Sequence, residues 1–201
     1  MRRAASIVAL LALTFAATQA RADADDDRNF HIKQGDHDAK GKGLGVGGLH
    51  LGRNHDRVLR YTVIFTGDVP YSTANAGNQS DWNKLMGISC DRIHHNSIRL
   101  GWAWNPKTNS VDLGFYGYIQ GARYMPYLTS VPLNTPVQIE IRYNNNGETV
   151  IANGVRHDEN RSLGLGKFFP SPSWIMHTAY FGGDETAPHD IDVQVRNVSF
   201  Q

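Results

Sequence analysis

The feature that most constrains this chain is a strand-like alternation that recurs from about residue 57 to the C-terminus without a helical period between. In 58–66, Leu59, Tyr61, Val63 and Phe65 fall on one face and Arg60 and Thr62 on the other. That is the period of two expected when one face of a strand is buried. The same alternation returns in 190–200, where Ile191, Val193, Val195 and Val198 alternate with polar residues and slip in phase near the end. Further strands are predicted over 84–89, 97–104, 111–119, 122–128, 136–143, 148–152 and 174–181, with a short one near Phe30. Turn residues separate them: Asn105-Pro106-Lys107-Thr108-Asn109, Gln120-Gly121, the 144–147 stretch and Asn153-Gly154. About ten short strands at such spacing predict an all-β fold, a two-sheet antiparallel β-sandwich of jelly-roll type with no second domain.

The N-terminus reads differently. Met1-Arg2-Arg3 is basic, 7–17 is an apolar run too short to cross a bilayer, and Ala20-Arg21-Ala22 offers small residues for a signal peptidase. Residues 1–22 are therefore expected to be a signal peptide, 23–52 a loose, polar and Gly-rich leader, and 53–201 the jelly-roll domain. The expected location is secreted or periplasmic, with no membrane association after cleavage. Over the whole chain 20 Lys+Arg oppose 19 Asp+Glu. Losing Arg2, Arg3 and Arg21 leaves 17 against 19, a net charge of −2. Such a balance speaks against a nonspecific nucleic-acid binder. The 40% hydrophobic content excludes a disordered chain, and a single Cys excludes an internal disulfide.

Splitting the central strands by face is the informative step. In 97–104, Ile98, Leu100, Trp102 and Trp104 form an apolar set, leaving Ser97, Arg99, Gly101 and Ala103 on the other side. In 111–119, Val111, Leu113, Phe115 and Ile119 are apolar, leaving Asp112, Gly114, Tyr116 and Tyr118. If the two strands pair as a hairpin through 105–109, the second sets share one outer face. Arginine and tyrosines over small residues suit a sugar ligand: aromatic rings stack on pyranose faces and Arg pairs with carboxylates bidentately. The glycines are expected to lower the floor for a ligand's approach.

At these residues the chain resembles the jelly-roll alginate and glucuronan lyases of polysaccharide lyase family 14, within the concanavalin A-like lectin/glucanase superfamily. Lys84-Leu85-Met86-Gly87 is similar to that family's Lys-Leu-Pro-Gly strand, with Met86 in place of the proline. Ser97-Ile98-Arg99 is similar to its Ser-x-Arg strand, Tyr116-Gly117-Tyr118 to its Tyr-x-Tyr strand, and Phe181-Gly182-Gly183 to its Phe-Gly-Gly segment. The loop over 90–96 departs from the family's connection. The resemblance implies β-elimination of a 4-linked uronate, with Lys84, Arg99, Tyr116 and Tyr118 as catalytic residues. Arg99 would neutralise the uronate carboxylate, and Ser97 would orient the substrate; the base and acid are left open among Lys84, Tyr116 and Tyr118. His95 and Arg123 are further expected substrate-binding residues.

Other chemistries find less support. The Glu-x-Asp-x-x-Glu pattern of jelly-roll glucanases is absent, as is Gly-x-Ser-x-Gly, and Cys90 has no identifiable activating partner in sequence. No spacing predicts a metal site, and no cofactor is expected. The stretch around Asp184-Glu185 and His189-Asp190 reads as an ordered turn before the last strand. The leading expectation is a monomeric lyase acting on an acidic polysaccharide or oligosaccharide. The alternative is a noncatalytic lectin-like module on the same fold.

Overall fold

Alternation becomes layers because each strand has one apolar row to hide. The computed structural model describes residues 28–40, 45–50, 57–90, 92–144, 147–160 and 173–201. The predicted signal peptide lies outside the described residues. The strands are β1 (Arg28–Ile32), β2 (Gly45–His50), β3 (Arg57–Phe65), β4 (Asn83–Ser89), β5 (Ser97–Asn105), β6 (Ser110–Ile119) and β7 (Ala122–Tyr124). They continue as β8 (Tyr127–Val131), β9 (Val137–Asn144), β10 (Gly147–Ala152), β11 (Val155–Glu159), β12 (Ser173–His177) and β13 (Ile191–Phe200). One antiparallel sheet runs β1-β13-β3-β9-β10-β11, and the other runs β2-β12-β4-β5-β6-β7, with β8 also on β6. The two sheets form the expected sandwich, and no helix among the described residues is long and apolar enough to cross a membrane.

The core is built from the apolar rows read off the sequence. Leu59, Tyr61, Val63 and Phe65 of β3 are buried, and so are Ile98, Leu100, Trp102 and Trp104 of β5 and Val111, Leu113, Phe115 and Ile119 of β6. Trp102 packs against Phe65 and Tyr71, with ring centroids 5.5 and 6.3 Å apart. Burying a side chain of this kind stabilises the fold by roughly 1.5–3 kcal/mol. The phase slip near the C-terminus is a bulge: pairing with β3 shifts between Arg196 and Ser199, and Asn197 takes a positive φ of 55°. At Asn153-Gly154 the φ values of 46° and 82° give the hairpin that joins β10 to β11.

Two expectations are corrected. The single strand expected over 122–128 is two, β7 and β8, broken at Met125-Pro126. Proline has no N–H to give to a ladder and sits here at the sheet edge, where the Pro126 carbonyl accepts from Phe115 N at 3.1 Å. The strand expected to run to residue 181 ends at His177. Beyond it, Tyr180 makes an isolated bridge with Lys84. Within the 23–52 stretch the short strand expected near Phe30 is β1, paired with β13, and β2 is a further one, paired with β12, each at a sheet edge.

Candidate functional site

Three neighbouring strands of the seven-stranded sheet carry the site. β5 and β6 pair in the register the hairpin requires, with Ser97 opposite Tyr118, Arg99 opposite Tyr116 and Gly101 opposite Gly114. The outer-face set is therefore contiguous. β4 joins through Lys84 opposite Gly101 and Gly87 opposite Arg99, with a register shift between them. Lys84 and Gly87 are three residues apart and would fall on opposite faces of a regular strand. The bulge restores the phase and puts Lys84 on the outer face beside Arg99, a device common next to active sites.

These side chains surround a cleft of about 460 Å³, lined by Lys84, Arg99, Tyr116 and Tyr118 together with Tyr180 and Asp38. Lys84 Nζ lies 4.9 Å from the Tyr116 ring centre and 4.7 Å from that of Tyr180. The Arg99 guanidinium carbon is 5.5 Å from the Tyr116 ring centre, and the Tyr116 and Tyr118 rings are 6.0 Å apart. Arg99 is only 8% exposed and its Nε has no hydrogen-bond partner. Among the described residues no carboxylate forms an ion pair with it. A guanidinium keeps its proton at any physiological pH, so its charge stays in the floor of the cleft.

The electrostatics separate the candidates. Burial, then the Arg99 and Arg123 charges, bring the Lys84 pKa down to about 8. Burial and a hydrogen bond with Tyr118 push Tyr116 the other way, above the usual phenol value, and the opposing Arg123 and Arg99 do not cancel this. At neutral to mildly alkaline pH the arrangement can thus present a neutral amine and a protonated phenol to one ligand, beside a fixed cation.

The remaining expected residues divide. Arg123 on β7 is exposed and hydrogen-bonds the Tyr116 phenol, so it stands at the rim. Ser97 and His95, expected to bind substrate, do not line the cleft. The Ser97 hydroxyl is buried and donates to the Ile93 carbonyl, tethering the loop before β5. His95 Nδ1 lies 3.2 Å from Asn96 Nδ2, and its neighbour His94 lines the cleft instead, its ring 5.2 Å from Tyr118.

Sequence reasoning missed Tyr180 and Asp38, and of the adjacent pair His94-His95 it chose the one that does not line the cleft. Tyr180 is fixed by reciprocal backbone hydrogen bonds of 2.8 Å with Lys84 and by stacking on His37, ring centres 5.1 Å apart. The Phe181-Gly182-Gly183 motif next to it was the available signal. The glycine floor also has a different tenant from the one expected. A Cβ at Gly114 would lie 2.8 Å from the Trp82 ring, and one at Gly101 would lie 3.2 Å from it. These glycines admit Trp82, not a ligand directly. The residues of the 184–190 turn hold the fold: Glu185 accepts from Ala74 N and Asn75 N, and His189 bonds the Pro70 carbonyl at 2.9 Å.

No protein-family profile matches the chain, and no curated protein matches its sequence. Solved structures do match. The alginate lyase AlyC3 superposes with a TM-score of 0.56 at 13% identity, covering 86% of this chain and 74% of that one. The alginate lyase PA1167 from Pseudomonas aeruginosa gives 0.52 at 10% identity, covering 74% of this chain. The alginate lyase A1-II′, a member of polysaccharide lyase family 7, gives 0.50 at 12% identity and covers 75%. The fold is shared with alginate lyases. The chain spans 65% and 63% of the last two proteins' length, and at these identities the likeness is one of architecture.

Proposed function

We propose that this protein is an exported polysaccharide lyase that cleaves an acidic, uronate-containing glycan by β-elimination, as the sequence resemblance to family 14 also implies. The observation that carries the reading is the buried Arg99 guanidinium, unpaired by any described carboxylate at the floor of a cleft with an amine and two phenols around it. Burying such a charge is costly unless a partner arrives, and a uronate carboxylate is a planar match for it. The fold likeness supports this choice of ligand, since AlyC3 is also known in complex with dimannuronate.

In the proposed reaction Arg99 pairs with the uronate carboxylate, which acidifies the neighbouring C5–H and stabilises the charge that develops as it leaves. Lys84, in its neutral form, takes that proton. The C5 electron pair forms the C4–C5 double bond, the C4–O4 bond breaks, and the departing O4 takes a proton from the Tyr116 phenol. The phenol recovers its proton from Lys84 or from solvent. The lowered Lys84 pKa and the raised Tyr116 pKa favour this division of labour over a tyrosine base. Tyr118 and Arg123 hold the Tyr116 hydroxyl in place.

The test is direct. Mature protein incubated with alginate and with glucuronan should generate the ultraviolet absorbance of unsaturated uronate ends. Binding to these polymers without any such absorbance would leave the lectin-like reading in its place.

A further inference from the structure

A second cavity opens on the same outer face, farther along the β5–β6 hairpin. It measures about 680 Å³, larger than the Arg99 cleft, and its walls include Trp82, Ala103, Trp104, Gln79, Lys107 and Asp112. Ala103 stands four residues beyond Arg99 on β5, about 13 Å away at the rise of a strand. An oligosaccharide bridges such a distance readily. Trp82 stands between the two, its indole resting on Gly101 and Gly114.

The cavity is preformed. Asn83 is buried, donates to the Tyr71 hydroxyl at 3.0 Å and accepts from Gly182 N at 2.6 Å, which anchors the backbone beside Trp82. A Cβ at position 182 would lie 2.0 Å from the Trp82 carbonyl, so this close seat requires glycine. On the far wall Gln79 ties the loop to the Tyr71 and Trp104 carbonyls at 3.2 Å, and Glu185 holds Ala74 N and Asn75 N at 2.7 and 2.8 Å. A partly buried indole that still lines a pocket held in place on both sides is a stacking surface for a sugar ring.

Its charge differs from that of the cleft. Lys107 is offset by Asp112, whose carboxylate already accepts from Asn105 Nδ2 at 2.9 Å and Ser130 Oγ at 2.5 Å. Among the described residues no guanidinium lines it, and its other polar groups are hydroxyls and amides. A second uronate there would meet the Asp112 charge without a cation in excess, whereas a neutral sugar would meet an aromatic face and hydrogen-bonding groups. We propose that this pocket is a subsite for a neutral sugar of the same glycan whose uronate occupies the Arg99 cleft, with Trp82 as its stacking wall. The inference rests on the uronate reading of that cleft, and it names the substrate class as a mixed polymer in which neutral sugars flank the uronate.

Two probes decide it: polyglucuronate, acidic at every unit, and deacylated gellan, in which neutral sugars separate the glucuronates. The protein should cleave gellan with the higher kcat/KM. Trp82→Ala should raise KM on gellan about five- to tenfold with kcat unchanged, the size expected of one lost stacking contact. Ala76→Trp, on an exposed turn at the mouth of the pocket, should do the same while leaving the glycine floor intact, and it decides the matter if Trp82→Ala fails to fold. If gellan is bound but not cleaved, the same shifts are read in Kd by titration calorimetry. A preference for polyglucuronate, or an unchanged gellan KM in a folded variant, overturns the neutral subsite while cleavage itself keeps the lyase reading. Neither cleavage nor binding of either polymer overturns both.

Discussion

The two sides of β6 each face a buried ionisable group that forms no ion pair among the described residues, and the two groups meet opposite fates. On the outer side, Tyr116 and Tyr118 flank Arg99. On the inner side, at Gly117, lies Glu148 of β10; it is 2% exposed, neither carboxylate oxygen has a hydrogen-bond partner, and a Cβ on Gly117 would come within 2.9 Å of Oε2. Burial, and then the Glu159 charge, push the Glu148 pKa well above the usual carboxylate range, so it can remain neutral by keeping its proton. Arg99 has no such escape, because its guanidinium does not release a proton in this range. What separates a binding group from a burdened core residue is therefore the ability to shed charge, together with a cavity to receive a partner.

The sharpest way to break this comparison is to remove the permanent charge. Arg99→Ala should lower kcat/KM on the cleaved polyuronate by about a thousandfold, the scale of losing a stabiliser of developing charge. Its melting temperature should hold or rise, because the variant no longer buries an unpaired cation. Unfolding of the variant would show Arg99 to be structural. Next in size, Lys84→Met and Tyr116→Phe should each cost about a hundredfold or more in kcat. In the parent, kcat/KM should climb as pH rises through about 8, where Lys84 loses its proton. It should fall at higher pH as Tyr116 ionises. A rate that is flat from pH 6 to 9 would remove Lys84 from the role of base.

The smallest effect belongs to the inner side. In the folded state Glu148 holds a proton that the unfolded chain releases above about pH 4.3, so stability declines as pH rises from there through the raised pKa. Below pH 4 both states are protonated and the penalty vanishes. Glu148→Gln should thus raise the melting temperature near pH 8 by about 2–4 °C, as expected for roughly 1 kcal/mol in a domain of this size. At pH 4 the gain should disappear, and activity should be unchanged throughout. A gain independent of pH would mean that Glu148 is ionised in its pocket.

How much of this was legible follows from which interactions are local. The apolar and polar rows of β5 and β6 obey a period of two and a short hairpin, so Arg99, Tyr116 and Tyr118 could be placed together from sequence. Lys84 was found through its motif, but its orientation depends on a bulge in which Leu85 and Met86 are both buried, and no local pattern announces that. Gly101 and Gly114 were recognised as a low floor, yet what fills it comes from Trp82, in the loop just before the neighbouring β4. Asp38 and Tyr180 reach the cleft only through long-range pairing. The Gly-rich 45–50 stretch offers no side-chain alternation, and β2 could not be seen.

The pairing of β1 with β13 has a consequence in time. Residues 28–32 find their partner only in residues 191–195, and between them the 33–40 segment brings Asp38 against Tyr180. The first described strand must wait for the last, and non-local closures of this kind are slow. The scaffold of β3 to β11 can condense earlier, but the wall of the cleft that holds Asp38 and Tyr180 is among the final parts to settle. Recovery of activity after refolding should therefore lag the burial of Trp102.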